Sequence, residues 1–598
     1  MKRTLAALSA AIIMGMSSRA PAQTVTGTIL GVVSDTGGGV ISQAQVTITE
    51  ENTGRKRELV TDNLGGYLAP FLAVGTYTVA VEKSGFRKAT FTGTVLQVDQ
   101  QARLDVVLEV GAVNQEVTVA GAAPLLQTEN ASLGDVIDTK QAVTLPLNGR
   151  DFLQLATLTP GVDSQGLLGN GLSVNGGRGD FNNYLVDGTS DSSRFDGSVV
   201  IRPNLDAIQE FKVQTSTYSA EFGFAGNGQI NVVTKGGANR FHGSAYEFLR
   251  NRKLDARNFF DPAGGAPSFK QNQFGGTFGG RIRKDKTFFF VDYEGLRVRQ
   301  SSTIQSRIPT KEMQSGNFQG LQSIFDVLTY NAATGAVQQF AGNQIPSGRI
   351  SKVAAGLNQY YPSPNLNDPR LNYINTTGRY SNSDEFAVRI DHQLRANNQL
   401  FVRYNYNDAQ SFSPAALPVL GTYNAPRPQL ATVSDTHLFS PRIINELRVG
   451  FNRYRSAQES ARTGTDNVAG KLGIGGVSTD PLDFGFPAVS IPPDYTAVSD
   501  PSNPFPTFRK DNVYQAGDTV SVTRGAHAFK FGGLINLVQV NGVQNSFGRG
   551  SFEFDGRFTA SPGVSGSRNS RAGCEASVKF KRSAAEAVLN SVHLHQID

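Results

Sequence analysis

The 598-residue sequence holds a single cysteine, Cys574, so no intrachain disulfide can staple it. It has no tryptophan, and an aromatic belt at a membrane interface would have to come from its 17 Tyr and 38 Phe. Charge of one sign is not in large excess: 56 Lys and Arg against 50 Asp and Glu leave a net +6. The basic residues are scattered rather than striped, which gives no support to nucleic-acid binding. Beyond the N-terminus no apolar run approaches 18 residues, so a transmembrane helix is excluded. The six histidines are dispersed apart from His593 and His595, and no His-Glu-x-x-His spacing occurs. No nucleophile–base pair or metal cluster is legible, and we expect no catalytic residue, no metal, no cofactor and no enzyme.

What is present is glycine, 64 residues, alongside a modest 39% hydrophobic content. That balance predicts a mainly β protein of several domains. Lys2 and Arg3, an apolar run over 5–16 and then Ala20-Pro21-Ala22 predict a signal peptide over residues 1–22, cleaved after Ala22. The alternative for that run is a buried N-terminal helix.

Residues 24–110 show short strands (26–34, 44–49, 67–71, 75–82, 102–108) with turns at 35–39 and 51–55, the pattern of a small sandwich. Asp62-Asn63-Leu64-Gly65-Gly66-Tyr67, followed by Leu72-Ala73-Val74-Gly75-Thr76-Tyr77, resembles the carboxypeptidase-regulatory-like, or transthyretin-like, sandwich. The resemblance implies a binding or spacer module, sometimes linked to carbohydrate, and no peptidase activity.

From Gln229 to Asn251 the character of the chain changes. The Gly236-Gly237 pair is expected to break a strand over 230–234, because glycine tolerates backbone angles that other residues avoid. We read it as a hinge between an inserted domain and a barrel; a plain turn between two soluble strands is the alternative. Upstream come Leu145-Pro146-Leu147-Asn148-Gly149-Arg150, Leu158-Thr159-Pro160-Gly161-Val162, Val174-Asn175-Gly176-Gly177-Arg178 and Tyr184-Leu185-Val186-Asp187-Gly188. Ile208-Gln209-Glu210-Phe211-Lys212-Val213, Ala220-Glu221-Phe222-Gly223 and Val232-Val233-Thr234-Lys235-Gly236-Gly237 follow. In this order they resemble the α+β plug domain of Oar-like TonB-dependent outer-membrane receptors. A short helix is expected over 203–210, with Pro203 early in it.

Just after the sandwich, Glu116, Val117, Thr118 and Val119 resemble a TonB box, an extended segment that adds to a partner's sheet edge. The last strand of the sandwich is the other reading. Arg178-Gly179-Asp180 is read as a plug turn rather than an adhesion motif. Gly166, Gly169 and Gly171 lack the Lys-Ser/Thr of a phosphate loop. Asp187 and Asp191 are read as solvated loop residues rather than metal ligands.

Residues 238–558 predict about ten strands: 241–250, 272–283, 286–297, 384–394, 398–408, 429–440, 443–455, 513–523, 527–541 and 551–558. Tight connections (283–286, 395–398, 440–442, 524–526) alternate with long ones (251–271, 298–383, 409–428, 456–512). Outer-membrane barrels have that asymmetry. Phe386, Val388, Ile390 and Leu394 share one strand face, and Ala387, Arg389, Asp391 and Gln393 the other. Val402 and Tyr404 oppose Arg403 and Asn405, and Leu447 and Val449 oppose Glu446 and Arg448. One face suits lipid and the other a polar interior. His392 falls on the lipid-facing row, near a turn. Members of the resembled family carry about 22 strands, so the first part of an antiparallel transmembrane barrel is expected here. Residues 559–598 lose the alternation and read as an atypical tail, consistent with a shifted reading frame; such a chain would be impaired in transport.

The resemblance implies an outer-membrane TonB-dependent receptor that takes an extracellular ligand (carbohydrate, peptide or chelate) and works with the TonB complex in outer-membrane lipid. A secreted or surface β-rich adhesin or carbohydrate-binding protein is the alternative. No ligand-binding residue can be singled out in the long loops.

Overall fold

The computed structural model describes residues 26–111, 116–120, 132–147, 149–164, 171–219, 221–223, 226–256, 267–491, 495–500, 506–524, 527–545, 547–554 and 559. The expected signal peptide, Cys574, His593, His595, Gly166, Gly169 and the tail beyond Thr559 lie outside them.

The first nine strands are β1 (Gly27–Asp35), β2 (Gln45–Glu50), β3 (Lys56–Val60), β4 (Gly66–Leu72), β5 (Gly75–Glu82), β6 (Lys88–Leu96), β7 (Gln101–Arg103), β8 (Val106–Leu108) and β9 (Glu116–Ala120). They form two sheets, β4-β1-β7 with β8 also on β1, and β3-β2-β5-β6-β9. Alternation drives the packing. Ile29 and Val33 of one sheet meet Val46, Ile48, Val79 and Val81 of the other in a fully buried core. The two turn aromatics are anchored as well as buried. Tyr67 Oη donates to the Leu104 carbonyl and Tyr77 Oη to the Ala73 carbonyl, both at 2.6 Å. Strands β3 and β6 were not expected. In β3, Lys56-Arg57-Glu58-Leu59-Val60 carries an arginine at an inward position, which hides the alternation.

A second unit follows: β10 (Leu133–Asp138), the small pair β11 (Val162–Asp163) and β12 (Ser173–Val174), then β13 (Asn183–Val186), β14 (Thr189–Ser190), β15 (Ile208–Ser216) and β16 (Gln229–Thr234). Its main sheet runs β10-β15-β16-β13-β14. Short helices Thr139–Thr144 and Leu153–Ala156 cover one face. Phe152 meets Phe211 edge-on there, with ring centroids 5.4 Å apart. The helix expected over 203–210 shrinks to one 3-10 turn, Leu205–Ala207, capped by Asn204. Ile208 onward is strand because Phe211 and Val213 alternate into this core.

The third unit is one antiparallel sheet: β17 (His242–Asn251), β18 (Phe269–Arg283), β19 (Thr287–Ser306), then, after the small pair β20 (Phe325–Asp326) and β21 (Gln338–Gln339), β22 (Tyr373–Arg395), β23 (Asn398–Pro414), β24 (Gly421–Asn424), β25 (Gln429–Ser440) and β26 (Ile443–Ser460). Past β27 (Ala488–Ser490) come β28 (Thr507–Arg524), β29 (His527–Gln544) and β30 (Ser551–Glu553). The sheet has ten strands, in the order β17-β18-β19-β22-β23-β24-β26-β28-β29 with β25 between β23 and β26. The strand expected at 551–558 is not in it. Ser551–Glu553 pairs in parallel with β27, Ala488–Ser490. The tenth member is instead the short β24. Among the described residues β17 and β29 do not pair with each other, so both edges are open.

Connections 284–286, 396–397 and 441–442 are tight and share one end of the sheet; 252–268, 307–372 and 461–506 are long and share the other. One face is apolar and exposed: Phe386, Val388 and Ile390 on β22 lie opposite Tyr406, Tyr404 and Val402 on β23. His392 sits at its tight-turn margin, its Nδ1 2.9 Å from Thr287 Oγ1. Rings cluster at both margins: Phe241, Phe278 and Phe289 near the tight turns, Tyr380, Phe412 and Tyr423 toward the long loops. The long loops are not loose. Ile308, Tyr361, Leu417, Val468 and Phe486, drawn from separate loops, make a core of their own. Arg549 laces this cap, donating to Ser460, Thr463 and Asp500.

Candidate functional site

The polar face of the ten-stranded sheet is where the second unit seats, and its contact centres on one hairpin. Val186 pairs with Thr189, leaving Asp187 and Gly188 as a two-residue turn with φ of +47° and +76°. Asp-Gly is the pair that such a left-handed turn demands. Gly188 has a second reason: a Cβ there would collide with the Arg448 guanidinium. On the facing strand, Gly450 leaves room for Thr189.

Asp187 is 1% exposed. Its carboxylate accepts from Thr234 N–H (3.0 Å) and Thr234 Oγ1 (2.6 Å), and pairs with Arg403 Nη1 at 2.9 Å and Arg389 Nη1 at 3.4 Å. The two arginines are themselves held in place. Arg389 makes a two-pronged contact with Asp391 (2.9 and 3.0 Å), and Arg403 Nε donates to Asn405 (2.7 Å). Burial works against the charged carboxylate, but Arg389, Arg403 and the Thr234 hydrogen bonds outweigh it and hold Asp187 below the usual range. Asp191, four residues on, has the opposite balance. Burial raises it well above the ordinary value, and the Ile201 N–H (2.9 Å) and nearby Arg403 and Arg202 offset only part of that. Neither aspartate is a solvated loop residue, as the sequence reading had it, and neither sits in a cluster of three or more metal-type ligands among the described residues. Asp187 is charged and locked, whereas Asp191 is a buried hydrogen-bond acceptor.

Further contacts spread along the sheet. Ser190 N–H donates to Gln515 Oε1 (2.9 Å), Asn452 Nδ2 to the Ser190 carbonyl (2.9 Å) and Arg509 to Ser193 Oγ (2.8 Å). Lys530 on β29 pairs with Glu221 at 2.9 Å.

The sandwich docks on the other side of this unit. Lys212, 2% exposed, pairs with Asp99 at 3.1 Å, and Gln214 donates to the same carboxylate at 2.8 Å. Glu210 accepts the Val98 N–H, and burial pushes its carboxyl up to about 7, with Val98 and Lys212 opposing the rise. The connector to β17 crosses here. Neither Gly236 nor Gly237 has positive φ. Gly237 is needed for close approach instead, since a Cβ would strike the Phe289 and Gly280 carbonyls.

The segment Glu116, Val117, Thr118 and Val119 lies in β9, at the edge of the sandwich's larger sheet, parallel to Lys88–Phe91 of β6. Its other edge is free of strand partners among the described residues. Arg178 and Asp180 pair with each other (2.7 Å) in a 3-10 turn over Gly179–Phe181. Sequence reasoning missed Arg389 and Arg403 as lock residues. The available signal was their recurrence at inward positions of neighbouring strands, and it named no partner.

A family model for the outer membrane beta barrel domain matches residues 233–592, more than half of the chain. A model for the carboxypeptidase regulatory-like domain matches residues 28–109. The TonB-dependent transporter Oar of Myxococcus xanthus is 29% identical over 317 residues, which is 51% of this chain and 29% of that protein. The chain thus spans under a third of that relative's length. Among solved structures, the outer membrane transporter YddB from Escherichia coli aligns with a TM-score of 0.44 at 11% identity, covering 70% of this chain and 50% of that one. A mutant of the ferric enterobactin receptor PfeA from Pseudomonas aeruginosa aligns at 0.38 and 12%, covering 68% and 49%. The apolar outer face, the one-sided turns and the matched model together place this chain in the outer membrane beta barrel domain family.

Proposed function

We propose that the protein is a TonB-dependent outer-membrane receptor that captures a ligand on its long-loop side and passes it inward. In this reading residues 111–237 hold the TonB-box linker and the plug, residues 238–558 the barrel wall, and the 24–110 sandwich a periplasmic module. The observation that carries it is the Asp187 lock. A separately folded unit is seated against the polar face of a lipid-facing sheet by charges that a modest displacement would separate. Such a seat is firm at rest and yields as a unit, as a gate must. Glu116, Val117, Thr118 and Val119 are the handle: as an edge strand they can accept a further strand from TonB through main-chain hydrogen bonds. The packed cap made by the long loops is the outward surface to which ligand binding is assigned.

The test is fractionation of cells expressing the chain, with crosslinking of a cysteine at Val117 to TonB. The expected result is an outer-membrane product whose crosslink is abolished by Thr118→Pro, because proline removes a ladder donor. A freely soluble secreted product would overturn the reading.

A further inference from the structure

Between the sandwich, the connector over 235–238 and the tight-turn ends of β22 and β23 lies a crevice of about 440 Å³. That is within the size range of small-molecule sites. Its walls hold six cations, Arg55, Lys56, Arg57, Lys235, Arg240 and Arg389, against two carboxylates, Glu50 and Asp391. Both carboxylates are already engaged. Asp391 and Arg389 neutralise each other, which leaves five cations, and Glu50 accepts from the Thr53 N–H at 2.8 Å within its own turn. Arg57 is 8% exposed, donates only to the Pro70 carbonyl (3.3 Å), and forms no ion pair among the described residues. Arg55 rests on the Phe288 ring (5.4 Å to the centroid), and its Nε is buried without an acceptor. A guanidinium taken out of water without a counter-charge is costly, and a bound anion removes that cost. Beside the arginines the wall is apolar, formed by Phe71, Val74 and Val233. Phe71 holds a φ of +56°, a strained conformation that persists only because the structure around it holds it there.

We propose that the crevice binds a small amphiphilic oxyanion, an organic phosphate or carboxylate. Its charged head is held by Arg55 and Arg57 and its apolar body lies on Phe71, Val74 and Val233. Planar guanidinium groups suit such heads because they donate two parallel hydrogen bonds. The site is at the opposite end of the sheet from the long loops, so it is separate from outward ligand capture and ties the sandwich to the barrel wall.

Calorimetric titration of the full chain in a non-ionic detergent tests this, with phenyl phosphate and inorganic phosphate as probes. Phenyl phosphate is expected to bind saturably, one per chain, and at least tenfold tighter than inorganic phosphate. Arg55→Gln and Arg57→Gln should each weaken it tenfold or more, while Lys352→Gln, in a long loop, should leave it unchanged. Among the described residues the Arg55 side chain makes no hydrogen bond, so Arg55→Gln keeps the test decisive if Arg57→Gln unfolds the sandwich. Displacement of the probe by anionic phospholipid added as mixed micelles, and not by neutral phospholipid, would assign the head to lipid; no displacement would assign it to a free organic anion. No saturable binding by either probe, or binding that Arg55→Gln leaves intact, overturns the proposal.

Discussion

The sandwich and the ten-stranded sheet use the same period-two alternation and point it in opposite directions. In the sandwich Val46, Ile48 and Val79 face a second sheet and are sealed from solvent. In the larger sheet Val388, Ile390 and Val402 face outward and are exposed, while Arg403 and Glu446 turn inward and are buried and Arg389 turns inward half-buried. An alternating strand therefore says which residues share a face, but only the partner decides which face is inside. For the sandwich the partner is another strand layer. For the sheet, the inner partner is a hydrogen-bonding protein unit, and the outer one is matched to hydrocarbon.

Changing one residue on each apolar face sharpens the contrast. Val79→Asp buries an uncompensated carboxylate between two sheets and should cost about 4 kcal/mol or more. Denaturant unfolding of the sandwich, followed by tyrosine fluorescence, checks it in any medium. Val388→Arg should cost about 2–4 kcal/mol, and only where the face meets hydrocarbon. Comparison of its unfolding in bilayers and in detergent would break the contrast if the two costs were equal.

The inward face is probed by Asp187→Asn, which strips Arg389 and Arg403 of their shared counter-charge. The seat should weaken by about 3 kcal/mol, seen as faster hydrogen exchange across β13–β14 with the sandwich unaffected. Asp187 is held below its ordinary value, so its contribution is full at neutral pH and is lost as pH falls through the lowered value.

Glu210 acts with the opposite sign. Its carboxyl is raised to about 7 from 4.5, so the folded contact binds the proton more tightly than the unfolded chain does. The sandwich–inner-unit contact should be firmest below about pH 4.5 and loosen as pH rises toward 7. Protection of the Val98 amide against pH reads it, on the order of 3 kcal/mol across the window. Glu210→Gln should flatten the curve.

How much of this was legible follows from where the information sits. The ten-stranded sheet was readable because tight turns and alternation are local, and β22 and β23 fell within a few residues of their expected inner ends. Their outer ends were not. Tyr373–Arg395 runs well past the apolar stretch, since polar residues such as Asn382 and Arg379 continue the ladder beyond it. The loop cap was missed because Ile308, Leu417 and Phe486 are far apart in sequence and meet only in three dimensions. The lock was missed for the same reason: Asp187 and Arg403 are 216 residues apart. Gly237 was noticed for the wrong property, backbone freedom, when its use is the absence of a side chain.

The two edges without a strand partner among the described residues, on β17 and β29, carry a consequence for how such a sheet reaches its membrane. In hydrocarbon, each N–H and C=O left without a mate costs several kcal/mol. An 18-residue border like that of β29 cannot tolerate many. Sealing of the seam, more than the greasiness of the outward side chains, is then what governs whether this wall persists in a bilayer.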